Sequence, residues 1–223
     1  MFTIRTAASR TLAGAGLVVL MAGSASATSL VDWTANGTPL SGSILGTTYT
    51  VSASGGSITN SQVQDGGTCP GFLACDLDGL GIEDDEISGG INVGEELTVA
   101  FDEAIRIKGI HLLDFFSTTD GQGRELAHVS FDGGSTFNSY QSSLSETPDG
   151  DSGYFEIAGI SSPISSIILR APTSLQGDDN NDQLGVNDYA LAAIQAVPLP
   201  APILMLLSAL AGLGFISARS RRA

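Results

Sequence analysis

Between residues 28 and 196 the chain is broken at short intervals by glycine, serine, threonine and aspartate, and the apolar residues between the breaks recur at every second position. A period of two puts successive side chains on opposite faces of an extended strand. Leu97-Thr98-Val99-Ala100-Phe101 alternates in this way, as does Ile105-Arg106-Ile107-Lys108. Gly109 then shifts the phase before Ile110-His111-Leu112-Leu113, as glycines at strand bulges do. Val129 and Phe131 lead into Asp132-Gly133-Gly134, a strong turn signal. Tyr154-Phe155-Glu156-Ile157, residues 164–169 and residues 189–194 supply three further strands, and Tyr49-Thr50-Val51 begins the set. No helical period interrupts them, and without crossover helices a parallel α/β sheet is disfavoured. The expected fold is all-β: an antiparallel, jelly-roll-like β-sandwich over residues 28–196, flanked by an N-terminal signal helix and a C-terminal transmembrane helix. The expected core is Leu97, Val99, Phe101, Ile105, Ile107, Ile110, Leu112, Val129, Phe131, Phe155, Ile157, Ile167, Leu169, Leu191 and Ile194.

The two ends read as addresses. Residues 1–27 carry Arg5 and Arg10, an apolar stretch over 12–22, and the small-residue site Ala25-Ser26-Ala27. That order is a secretory signal peptide, with cleavage expected after Ala27. At the other end, residues 203–218 hold no charge and only two serines. As a helix this run covers about 24 Å, and the stretch from Val197 to Ala218 covers about 33 Å, enough for a hydrocarbon core of about 30 Å. Arg219, Arg221 and Arg222 would stay on the cytoplasmic side. A buried core helix is a poor alternative, because the run is apolar all round. A plain membrane anchor and a processed sorting signal are both compatible with these physics.

The order of Val197, Pro198, Leu199, Pro200 and Ala201, an apolar helix and the closing arginines resembles the PEP-CTERM class of bacterial sorting tails, in its Val-Pro-Leu-Pro-Ala variant. The resemblance covers about 27 residues, and Leu199 and Ala201 depart from the main class, which has Glu and a different flank. It implies recognition by a membrane-embedded exosortase-type processing enzyme. The expected route is through the inner membrane to the cell surface or the extracellular space. More loosely, residues 79–87 and 187–194 resemble the β-rich bodies that accompany such tails, which implies a jelly-roll-like module and no particular activity.

Two of the nine basic residues lie in the leader and three in the tail, leaving four against 24 acids and a formal charge of −20 on the body. Such a body excludes nucleic acid, whose phosphates need Lys and Arg, and favours divalent cations. Cys69 and Cys75, an even close pair in an exported chain, are expected to form a disulfide. Calcium is the one candidate cofactor, with Asp76, Asp78, Asp178, Asn180 and Asp182 as candidate oxygen ligands. An EF-hand is rejected, because Gln183 and Tyr189 stand where glycine and glutamate are required. Solvated acidic turns are the plainer reading of the same residues.

Gly150-Asp151-Ser152-Gly153 spells a serine-nucleophile neighbourhood, but a nucleophile needs a base, and neither His111 nor His128 lies in a recognisable motif. No catalytic residue is assigned, and the chain is expected to be non-enzymatic. The leading expectation is a surface or matrix component; the rival is a carbohydrate-binding module for exopolysaccharide. Sugar faces stack on exposed rings, and the available ones are Trp33, Tyr49, Tyr140, Tyr154 and Tyr189, with Tyr140 the best placed for exposure and core packing the better explanation of Tyr154 and Tyr189.

Overall fold

The alternating runs on either side of residue 103 belong to one unbroken strand, and that strand organises the molecule. A computed structural model describes residues 28–64, 67–83, 86–89, 94–117, 123–145, 147, 150–172 and 187–198. Residues 1–27 and 199–223 lie outside them, and with them the expected signal and transmembrane helices. The strands are β1 (Ser29–Asp32), β2 (Ser41–Ile44), β3 (Thr47–Ser54), β4 (Ile58–Thr59), β5 (Gly81–Ile82), β6 (Glu96–Leu113), β7 (Leu126–Ser130), β8 (Asn138–Gln141), β9 (Phe155–Ala158), β10 (Ile164–Arg170) and β11 (Ala190–Val197). Every pairing is antiparallel, and no helix occurs among the described residues.

The first half of β6 lies in a larger sheet, in the order β2-β3-β6-β10-β7-β8. Its second half lies in a smaller sheet, in the order β1-β11-β6-β9. Pairing in the larger sheet reaches Ile105 and pairing in the smaller one begins at Arg106, just past the exposed Asp102, Glu103 and Ala104. Gly109, read from sequence as a phase shift of the bulge kind, pairs with Ala158 and Gln195, and the register between β6 and β11 shifts beside it, between Gln195 and Ala196.

Alternation then builds the core as expected. Tyr49, Val51 and Ala53 of β3 turn inward, and Thr50, Ser52 and Ser54 turn outward. Leu97, Val99, Ile110, Leu112, Val129, Ile157, Ile167, Leu169, Leu191 and Ile194 are all buried between the sheets. Each such side chain contributes on the order of 2 kcal/mol of burial. Phe131 and Phe155, expected in the core, pack against it only partly buried. Leu80, Ile82, Ile87 and Phe115, from connections and a two-residue strand, fill it out. The set of strands begins earlier than Tyr49, with β1 and β2.

The smaller sheet is covered on its outer face as well. Its β11 is rich in alanine, so a connection can lie flat upon it. The Cys69–Cys75 loop does this, packing Leu73 on Leu113, Ala192 and Ala193. The segment around residue 80 crosses the start of β11 through paired Leu80 and Leu191 amides and carbonyls at 2.9 Å. Gly79 sits there at φ 127°, and a Cβ on it would come within 2.5 Å of the Leu191 carbonyl oxygen. The two segments of loose family resemblance therefore meet: Ile87 N donates to Tyr189 O and Gly89 N to Asn187 O.

The body's two ends emerge together. Ser29 lies opposite Ala196 in the ladder, and Val197 closes β11 opposite Arg106 of β6.

Candidate functional site

Of the candidate calcium ligands, Asp76 and Asp78 lie among the described residues. Asp76 is exposed on the surface and Asp78 is buried, with 2% exposure. The amides of Asp76 and Leu77 both donate to the Thr34 carbonyl, which fixes this stretch beside β1. Asp178, Asn180 and Asp182 lie outside the described residues. Among the described residues no group of three or more His, Cys, Asp or Glu side chains is arranged to hold a metal ion.

Ser152 is buried and its hydroxyl donates to the Thr68 carbonyl at 3.3 Å, not to a histidine. Its own carbonyl accepts from Asp114 N and that of Gly153 from Phe115 N, so the nucleophile-like tetrapeptide holds two connections together. His111 is buried on β6, where Nδ1 shares a hydrogen bond of 2.9 Å with the Tyr154 hydroxyl. Desolvation holds its pKa below the ordinary histidine value, against the opposing pull of Glu156. His128 is half-buried on β7 in the other sheet, lowered likewise by desolvation and by Arg170.

The ring inventory changes in three places. Trp33, one of the candidate stacking rings, is fully buried: its indole N–H donates to the Pro39 carbonyl and its ring meets Tyr49 edge-on at 5.9 Å. Tyr49 is buried too, and Tyr154, expected in the core, is half-exposed like Tyr140; Tyr189 is buried as expected. Trp33 goes inside because it follows β1 directly and its amide bonds the Ala192 carbonyl, which turns the ring under the sheet. Phe72, at the tip of the disulfide loop and 48% exposed, is the ring that sequence reasoning missed. A phenylalanine carries no sign of exposure in sequence; the covalent closure of its loop is the only signal there was.

Tyr140 lines a groove of about 360 Å³ between the two edge strands β8 and β9 and the connection after β9. Phe131, Ile160, Pro163 and the Tyr140 ring give it an apolar side. Asn138, Thr136, Ser161 and Ser162 place short polar side chains along it. Asp132 stands at one end, clasped by its own turn. Its Oδ1 accepts from Ser130 Oγ at 2.8 Å and Thr136 N at 2.9 Å, and its Oδ2 accepts from Thr136 Oγ1 at 2.7 Å. These bonds, led by that of the Thr136 hydroxyl, pull its pKa down to about 2, so a carboxylate faces the groove at any physiological pH. A ring flanked by short hydroxyls, an amide and a carboxylate can stack on a sugar's apolar face and bond its hydroxyls.

No protein-family model matches the chain, and no curated protein matches it. Among solved structures it is similar to CpGH89CBM32-5 from Clostridium perfringens, in complex with GalNAc-β-1,3-galactose, at 17% identity over 68% of this chain and 95% of that one, with a TM-score of 0.26. It is similar also to chitosan-binding module 1 of a chitosanase/glucanase from Paenibacillus sp. IK-5, at 14% identity over 65% and 96%, again with a TM-score of 0.26. Superposition this loose carries no functional argument. The class is set by the strand pairing: an all-β, antiparallel two-sheet fold with one strand common to both sheets.

Proposed function

We propose that the chain is an exported, non-enzymatic component of the bacterial surface or extracellular matrix, and that its jelly-roll-like body binds saccharide in the groove beside Tyr140. The leader over residues 1–27 and the exosortase-type tail over 197–223 carry the localisation. The groove carries the binding. The single observation behind it is that Tyr140 is kept half-exposed as the wall of an open groove that sets an apolar side against the short polar side chains of Thr136, Asn138, Ser161 and Ser162. An acidic body with no strong cation in that groove favours uncharged or cationic glycans over nucleic acid or acidic polymers.

Glycan-array binding of the full chain, with and without calcium, tests this directly. Tyr140→Ala and Asn138→Ala should each weaken binding about tenfold or more, the loss that follows from one stacked ring or one well-placed hydrogen bond. A calcium requirement would give the acidic residues their cofactor. Binding to no glycan, or undiminished binding by Tyr140→Ala, would leave a structural matrix role in its place. Cell fractionation with Arg219, Arg221 and Arg222 replaced tests the tail.

A further inference from the structure

The outer face of the smaller sheet holds a second concentration of chemistry that the groove does not use. The loop over residues 69–75 is closed by its disulfide and pinned to the body at two further points. Ala74 N donates to Asp32 Oδ2 at 2.8 Å, and Cys75 N to Thr34 Oγ1 at 2.9 Å. A loop held so firmly still leaves its one aromatic residue, Phe72, half out in solvent. That ring meets His111 at 5.0 Å and Tyr154 at 6.4 Å, and Tyr154 lies parallel to His111 at 5.9 Å. Three rings are thus fixed in place on one face before any ligand arrives.

Two polar atoms converge beside them. His111 is fully buried and its Nε2 has no hydrogen-bond partner, although Nδ1 is satisfied by Tyr154. Glu156 is the cross-strand neighbour of His111 and is exposed. Both reach the same point: a Cβ on Gly109 would stand 2.7 Å from Glu156 Oε1 and 3.3 Å from His111 Nε2. Glycine at 109 leaves room for the carboxylate to lie over the strand. The charges acting on His111 are Glu156, Lys108 and Asp32, two carboxylates against one ammonium.

We infer that this face is a second binding site, separate from the groove, for a sugar unit that carries a protonated amine. The aromatic pair Phe72 and Tyr154 takes the apolar face of the ring and the cation together, as aromatic faces do. The Glu156 carboxylate receives the ammonium in a charge-assisted hydrogen bond. The body's charge of −20 adds long-range attraction for a polycation and repels uronic acids.

Calorimetric titration of the full chain with glucosamine oligosaccharides, their N-acetylated forms and uronic acid oligosaccharides tests the site. The amine form should bind tightest, and its affinity should fall as salt is raised. Glu156→Gln, an exposed and isosteric change, should cost the amine form about tenfold and bring it level with the N-acetylated form. Phe72→Ala should weaken both. Tyr140→Ala should leave the amine form's advantage over the N-acetylated form intact. Uronic acid oligosaccharides binding as well as the amine form would overturn the inference. So would Glu156→Gln without effect on the amine form, or loss of the amine form's advantage in Tyr140→Ala.

Discussion

Removing the disulfide should destabilise the protein by a calculable and modest amount. Cys69 and Cys75 are six positions apart and close a loop of seven residues. The chain-entropy relation for a loop that short gives about 2.4 kcal/mol at 25 °C. Two contacts oppose a larger loss, because Asp32 still holds Ala74 N and Thr34 still holds Cys75 N when the sulfurs are parted. For a body of this size the loss corresponds to a fall in Tm of about 5–10 °C. The assay is thermal unfolding of the full chain followed by near-UV circular dichroism, comparing the oxidised protein with Cys69→Ser/Cys75→Ser. Hydrogen exchange should place the loosening at residues 69–77 and leave the inner ladders of β6 protected. A variant with unchanged Tm would show that the hydrogen bonds alone hold the loop. A loss above about 5 kcal/mol would show that the sandwich depends on the crosslink, and either result would refute the local account.

The hairpin between β2 and β3 turns on Leu45 and Gly46 at φ 53° and 85°, and leucine is strained in that region. Leu45→Asn should therefore stabilise the fold by about 0.5–1 kcal/mol, read as a higher urea midpoint at constant slope; a lower midpoint would contradict the strain. Glu125 is buried, its Oε2 accepts from Phe116 N at 2.6 Å, and burial followed by the charge of Asp188 pushes its pKa well above the usual carboxylate range. Because the folded-state value is the raised one, its contribution is fully present below the unfolded carboxylate pKa and is lost as pH rises through the folded value. Tm measured across that window should decline in the wild type and decline less in Glu125→Gln; parallel curves would exclude Glu125 as the source.

The inward face of each half of β6 was legible because its neighbours are β-branched or long aliphatic residues at strict alternation. The continuity of the strand was not, because Asp102, Glu103 and Ala104 interrupt the alternation between its halves. Gly109 sits beside the expected register shift, small because Glu156 and His111 crowd its outer side. The sheet change falls between Ile105 and Arg106, which carry no turn signature. β1 and β2 were missed because Ser29-Leu30-Val31-Asp32 and Ser41-Gly42-Ser43-Ile44 are too short and polar to show a period. Of the candidate sites, Tyr140 was read correctly as accessible, since it stands among polar residues on an edge strand. Trp33 was misread because sequence position near an end says nothing about depth, and it lies wholly inside. The groove itself joins β8 to a connection some 20 residues further on, a proximity that only the strand order creates.

Where β1 starts and β11 stops has a mechanical consequence. Neighbouring strands stand about 4.8 Å apart, so the thread enters and quits the globule through what amounts to a single point of suspension. Were the proposed tail to fasten the chain to a membrane, the globule would hang from that one place, and Asp32, which grips the crosslinked loop, is three residues along β1 from it.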